Sequence, residues 1–265
     1  MRRYVVIAAG LAAVAVAGCG SSSSSSPAAS SSTGTRSTGV STTGAITVFA
    51  AASLQGTFTQ LGKQFEAAHP GSKVTFSFGP SSGLATQIMN GAPADVFASA
   101  AVANMNQVVK AGDAQGPSDF ARNKMEVAVP PDNPGHVSSV DNLAKSSVKV
   151  AVCQPQVPCG VVAKEVFKNA NISVSPVTQE TDVKSVLTKV ELGDVDAGMV
   201  YVTDVKAAGS KVKGVKIPSS ENATTTYPIA TVSKSSHAAT ARAFVNYVLS
   251  PTGQKVLTAA GFEKP

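Results

Sequence analysis

From Ile46 onward the chain repeats one pattern: a short apolar run, a turn of small or polar residues, then apolar positions three or four apart. "ITVFA", Ile46 to Ala50, reads as a buried strand. Ser53 follows as a candidate N-cap, and Leu54, Phe58, Leu61 and Phe65 then recur at i, i+4, i+7 and i+11, one face of a helix. "KVTFSF" alternates, with Val74, Phe76 and Phe78 apolar, and runs into the turn "GPSSG". Leu84 and Ile88 line the short helix after it, and Gly91 is placed to stop it. "ADVFAS" predicts another strand, followed by a helix carrying Val102, Met105, Val108 and Val109. "KMEVAVP" and "VKVAVC" predict two more strands, the second leading into a helix that starts near Cys159. In "ETDVKSVLTKVELGD", Thr181 is the N-cap candidate, Val183, Val186, Leu187 and Val190 form the apolar stripe, and Gly193 is the stop. "DAGMVY" is a strand ending at Tyr201, and "TYPIATV" is the last strand. Two helices then complete the chain, divided at Ser250-Pro251, where proline suits a first helical position. This alternation predicts an α/β fold of mostly parallel sheet covered by helices.

The first 43 residues break the pattern. "MRRYVVIAAGLAAVAVAGC" has two arginines, an apolar stretch and small residues before Cys19, the layout of a secretory signal over 1–18. Tyr4 to Gly18 is shorter than the ~20 residues a membrane span needs. The cysteine after Val16-Ala17-Gly18 resembles a bacterial lipobox, which implies lipid on Cys19 and cleavage before it. Residues 19–43 continue as a Ser/Thr/Gly-rich tether, a composition that cannot offset ordering entropy, with a typical reach of roughly 25–30 Å.

Charge narrows the function classes. The 265 residues carry a formal charge of +6, which falls to +4 without Arg2 and Arg3 of the signal. The remaining lysines are scattered, without the basic, aromatic-interleaved stripe of a nucleic-acid binder. Cys153 and Cys159 allow a short disulfide loop, two free thiols or a metal pair. An exported, oxidising compartment favours the disulfide, and no His or third Cys accompanies the pair as a further ligand.

In sheets of this kind ligands bind beyond the carboxyl ends of the strands. That rule gathers Ser53, Ser81-Ser82, Cys159-Gly160 and Thr181 to Val183, with Tyr201 closing a strand beside them. Hydroxyls and helix-start N–H groups without Lys or Arg suit a dehydrated oxyanion. Such an ion costs tens of kcal/mol to bury bare, so nearly every oxygen must receive a donor, at about 1.5–3 kcal/mol for each charge-assisted bond. The competing reading is enzymatic. Gly79, Ser81 and Gly83 spell G-x-S-x-G in strand–turn–helix context, so Ser81 could be the nucleophile of a serine hydrolase, with His136 or His237 as the base.

"ITVFAAASL", "FGPSSGLATQI", "GAPADVFASA", "VPCGVVAKE", "TDVKSVL" and "AGMVY", in this order and spacing, resemble the molybdate-binding proteins of bacterial ABC transporters over residues 45–265. The resemblance implies a two-lobed periplasmic-binding-protein fold of type II, each lobe a mostly parallel sheet flanked by helices, with the ligand in the interlobe cleft. It implies residues 44–123 plus 226–265 as one lobe and 124–225 as the other. It implies that molybdate or tungstate is held by hydroxyls and N–H groups of Ser53 and Ser81, the N–H groups of Cys159 and Val183, and the hydroxyl of Tyr201. Molybdenum would enter only as molybdate, with no protein atom bonded to the metal, no cofactor and no catalysis. The expected setting is a monomer lipid-anchored at the outer face of the cell membrane, delivering to an ABC permease. Sulfate is the alternative oxyanion. Position 159 is often alanine and position 80 more typically serine in the family; Pro80 here removes one N–H. Asp95 reads as structural, since a carboxylate beside a dianion repels it.

Overall fold

A computed structural model describes residues 43–265. The signal segment, Cys19 and the tether up to residue 42 lie outside the described residues. The predicted strand–turn–helix units are present. β1 (Gly44–Ala51) passes through a single 3-10 turn (Ala52–Leu54) into α1 (Gln55–Ala68). β2 (Ser72–Gly79) leads through Pro80 into α2 (Ser81–Met89), and β3 (Val96–Ala98) precedes α3 (Val102–Lys110). After β4 (Ala114–Val129) come β5 (Val150–Cys153), α4 (Pro158–Asn169), β6 (Thr178–Glu180) and α5 (Val183–Glu191). β7 (Ala197–Tyr201), α6 (Val202–Ala208), β8 (Lys213–Val215), β9 (Thr224–Val232), α7 (Ala238–Leu249) and α8 (Pro251–Ala260) complete the order.

The strands form one sheet in the order β2-β1-β3-β9-β4-β7-β5-β6, with β8 paired to β4. The β–α units supply the parallel ladders, β1 with β2 and β3, and β5 with β6 and β7. β4 and β9 bring antiparallel pairing. They run against each other from Ala114↔Val232 to Lys124↔Thr224, and β9 also pairs β3 while β4 pairs β7 and β8. The sheet is therefore mixed, its two parallel halves joined through an antiparallel pair.

The stretch "AQGPSDFARN" carries no strand pattern, and sequence reading starts this strand only at Lys124. β4 nonetheless begins at Ala114, because Gly116-Pro117 falls where the register shifts between Gln115 and Ser118. A bulge is where a strand tolerates the missing N–H of proline. Apolar burial follows the same division. One core draws on residues from Met125 to Ala223, among them Val150, Val166, Val186 and Met199. Two others draw only on residues 46–121 and 227–262; in the larger, Phe58 and Phe65 meet Phe244 edge-on and Phe120 tilts against Phe58. Each such side chain contributes about 1.5–3 kcal/mol when fully buried.

Three local expectations change. Val102 is exposed, and Asn104 is buried beside Met105 and Val108 on the covered face of α3. Ser53 sits inside the 3-10 turn and caps nothing with its side chain. The N-cap of α5 is Asp182, not Thr181: its Oδ1 accepts from Lys184 N (2.8 Å) and Ser185 N (3.1 Å).

Candidate functional site

The carboxyl ends of the strands meet around one small cavity. Its walls are Ala51 to Ser53 after β1, Gly79 to Ser81 after β2 and Ala100 after β3, facing Val157 to Cys159, Asp182, Val183 and Tyr201. Ser53, Ser81, Cys159, Val183 and Tyr201 thus share a single space, though they come from separate turns spread over the chain. A water-sized sphere can be centred within about 20 Å³ of it. By the same measure roughly 10–15 Å³ holds one water. The oxygens of a tetrahedral anion are each water-sized, so a compact oxyanion suits the space and an amino acid or sugar does not.

Backbone donors left over by local capping account for much of the lining. The first N–H groups of any helix lack intrahelical partners. In α4, Pro158 has no N–H, and Gly160 N and Val161 N both donate to Val157 O (3.0 and 3.1 Å). The Cys159 N–H remains. In α5, Asp182 takes Lys184 N and Ser185 N, and Val186 N donates to Asp182 O. The Val183 N–H remains. Neither α2 nor the 3-10 turn after β1 has a side-chain cap, which leaves the N–H groups of Ser81 and Ser53 open at their starts. Four helix starts therefore turn positive ends toward one point.

The hydroxyls are held from behind. Ser81 Oγ accepts from Ala100 N at 2.9 Å, so its own proton is free to point elsewhere. Ser53 Oγ lies 2.9 Å from the Tyr227 hydroxyl. Ser82, which only the family resemblance set apart from Ser81, is half-buried and does not line the cavity. Tyr201 is 1% exposed, and its hydroxyl has no hydrogen-bond partner among the described residues. Burial first, then the neighbouring Tyr227 and Asp204, push its pKa well above the ordinary tyrosine value. It stays a neutral donor.

Asp204 fixes the other end of Tyr201. Its Oδ2 accepts from Tyr201 N (3.1 Å), while Oδ1 sits 2.7 Å from Lys184 Nζ as an ion pair rather than an aligned hydrogen bond. Burial raises the Asp204 pKa, opposed by Lys184 and by the Tyr201 N–H. Asp182 is the one charged residue on the lining, and its carboxylate is engaged in capping α5. Among the described residues, no Lys, Arg or His lines the cavity. In particular neither His136 nor His237 does, so Ser81 has no base there; His237 instead lies 3.7 Å from Asp95. Asp95 accepts from Thr47 N (2.7 Å) and Ser235 Oγ (2.5 Å), a structural tie away from the cavity. Cys153 and Cys159 form a disulfide, so the readings as free thiols or a metal pair do not hold. Sequence reasoning missed Ala100 and Tyr227, for which no local signal exists, and it placed Asp182 in the Thr181 to Val183 turn while giving its capping role to Thr181.

Comparison with known proteins defines the class. Residues 46–263 match the profile of the bacterial extracellular solute-binding proteins, and the chain belongs to that family. Among its relatives, the molybdate-binding protein ModA of Mycobacterium tuberculosis H37Rv is 42% identical over 268 residues, 99% of this chain and 100% of the relative. A putative ABC transporter substrate-binding lipoprotein of Bacillus subtilis 168, YvgL, is 32% identical over 98% of both chains. The solved periplasmic molybdate-binding protein of Azotobacter vinelandii superposes with a TM-score of 0.74 at 23% identity, over 83% of this chain and 99% of that one, a likeness of fold. The resemblance read from the sequence holds along the chain.

Proposed function

We propose that this protein binds molybdate, and tungstate with it, outside the cytoplasm and passes it to the permease of an ABC importer. The observation that carries this reading is the cavity itself. Five residues on separate helix starts and strand ends bring seven donor groups to a space of oxyanion size, and one of these, the Tyr201 hydroxyl, is buried without a partner. An unpaired buried hydroxyl costs about 1–3 kcal/mol, which a bound oxygen acceptor removes. Ser53 and Ser81 donate from hydroxyl and N–H, Cys159 and Val183 from N–H, and Tyr201 from its hydroxyl. Residues 44–123 with 226–265 act as one lobe and 124–225 as the other, in keeping with apolar cores that do not mix across those boundaries. With the signal at 1–18 removed, lipid on Cys19 and the tether would hold the binding lobes near the permease as a monomer. The lipoprotein name of the Bacillus relative supports the anchor. No helix among the described residues is long and apolar enough to cross a membrane.

The test is a thermal melt with molybdate, tungstate, sulfate or phosphate added separately. A ligand at 100 times its Kd adds about 2.7 kcal/mol of stability. Molybdate and tungstate should each raise the Tm by several degrees and sulfate by far less. An unchanged Tm with both would refute the reading, and a shift with sulfate alone would replace the ligand.

A further inference from the structure

Tyr227 does not line the cavity, yet it is fully buried directly behind it, on β9, with its hydroxyl 2.9 Å from Ser53 Oγ. Its ring meets Tyr201 edge-on, centroids 6.2 Å apart. Three hydroxyls therefore cluster here, two on the lining and one behind. A hydroxyl has one proton and accepts through its lone pairs. If Ser53 donated to Tyr227, Ser53 would present only lone pairs to the cavity and would repel an anion. If Tyr227 donates to Ser53, the Ser53 proton is released toward the ligand. Ser81 is set in the same way by the Ala100 N–H, a donor that cannot reverse.

We propose that Tyr227 is a positioning residue of the oxyanion site, donating its hydroxyl proton to Ser53 Oγ so that Ser53 can only donate to the ligand. This rests on the oxyanion reading above. The other polar neighbours of the Tyr227 oxygen are Asn123 and Tyr201. Asn123 Nδ2 donates to Thr203 Oγ1 at 2.8 Å, and its Oδ1 accepts from Lys124 N at 3.0 Å. With Asn123 Oδ1 engaged and no hydrogen bond formed to the Tyr201 hydroxyl, Ser53 Oγ is the acceptor for the Tyr227 proton. Burial holds the Tyr227 pKa above the ordinary value, so it remains protonated at any working pH. A donor held in place by the fold also polarises the serine it serves, strengthening the outward O–H.

The experiment is a double-mutant cycle on molybdate affinity by calorimetry, using wild type, Tyr227→Phe, Ser53→Ala and the double variant, each confirmed folded by circular dichroism. Tyr227→Phe keeps the ring and should weaken molybdate binding about five- to tenfold, the worth of one hydrogen bond. In the Ser53→Ala background the same change should have no further effect on Kd. Equal weakening in both backgrounds would mean a merely structural role and overturn the proposal, as would an unchanged Kd for Tyr227→Phe. Should that variant not fold, fluorotyrosine at position 227, a stronger donor, should tighten binding only where Ser53 is present; the same tightening with Ser53→Ala would overturn it. Wild-type protein that ignores both molybdate and tungstate would defeat the oxyanion reading itself, a separate outcome.

Discussion

Tyr201 and Ser81 meet the cavity under opposite conditions. The Ser81 hydroxyl is already engaged by Ala100 N, whereas the Tyr201 hydroxyl is buried with no partner. Their removal should therefore differ in kind. Ser81→Ala strands the Ala100 N–H and should lower ligand-free stability by about 1–3 kcal/mol as well as weaken binding. Tyr201→Phe deletes an unsatisfied group, so ligand-free stability should stay level or rise while molybdate affinity falls by about 1.5–3 kcal/mol, the range for a bond to a charged acceptor. Paired melts and calorimetry on the two variants check this. A ligand-free Tyr201→Phe protein less stable than wild type would contradict the unpaired hydroxyl. Within "GPSSG" the residues alone do not say which serine matters, and the choice of Ser81 rests on the family resemblance. In the fold, the cavity lining and the contact with Ala100, nineteen residues on, separate Ser81 from Ser82.

At the scale of an element, the start of α4 shows how a turn is made to present one N–H. Pro158 and Val157 use up or lack the neighbouring donors, and the disulfide ties Cys159 back to the end of β5. Gly160 completes the arrangement: a Cβ there would collide with the carbonyl oxygens of Gln154 and Cys153. Backbone cannot yield as a flexible side chain can. Gly160→Ala should therefore destabilise by about 1–3 kcal/mol, as overpacking does, and also weaken oxyanion binding by displacing the Cys159 N–H. A variant with wild-type Tm and Kd would show that the turn relaxes freely. The helices themselves were plain in the sequence, since Val183, Val186, Leu187 and Val190 form the stripe that α5 buries. Its cap was misjudged by one residue because Thr181 and Asp182 are both good cappers, and the choice depends on which side chain turns back onto the helix.

For the whole molecule, two tyrosines buried at the junction of the cores tie stability to alkaline pH. Tyr201 and Tyr227 both have raised pKa values, with burial as the first cause. Unfolding exposes them to ordinary titration near 10.0. Above that value the unfolded chain loses protons that the native state keeps, so their contribution is intact below it and declines as the pH rises. Wild type should thus lose stability relative to Tyr227→Phe as the pH is taken above 10.0, read as the difference in Tm between the two. A difference independent of pH would mean that Tyr227 ionises as readily in the folded protein as in the unfolded chain.

What the sequence determined by itself was local: which residues face inward along each strand and helix, and where most helices begin and end. Burial periodicity is set by neighbours three or four positions away, and caps and stops act within one turn, so these features are written where they operate. The order of the motifs carried the family. Only the tertiary structure decided that β4 continues through Gly116-Pro117 and that β9 runs against it. The same holds for Tyr227 reaching Ser53 across 174 residues of chain. Those contacts depend on the path of the whole backbone, and no periodicity reports a partner so distant. The orphaned Tyr201 hydroxyl belongs to the same class, because a missing partner becomes visible only when every neighbour has been placed.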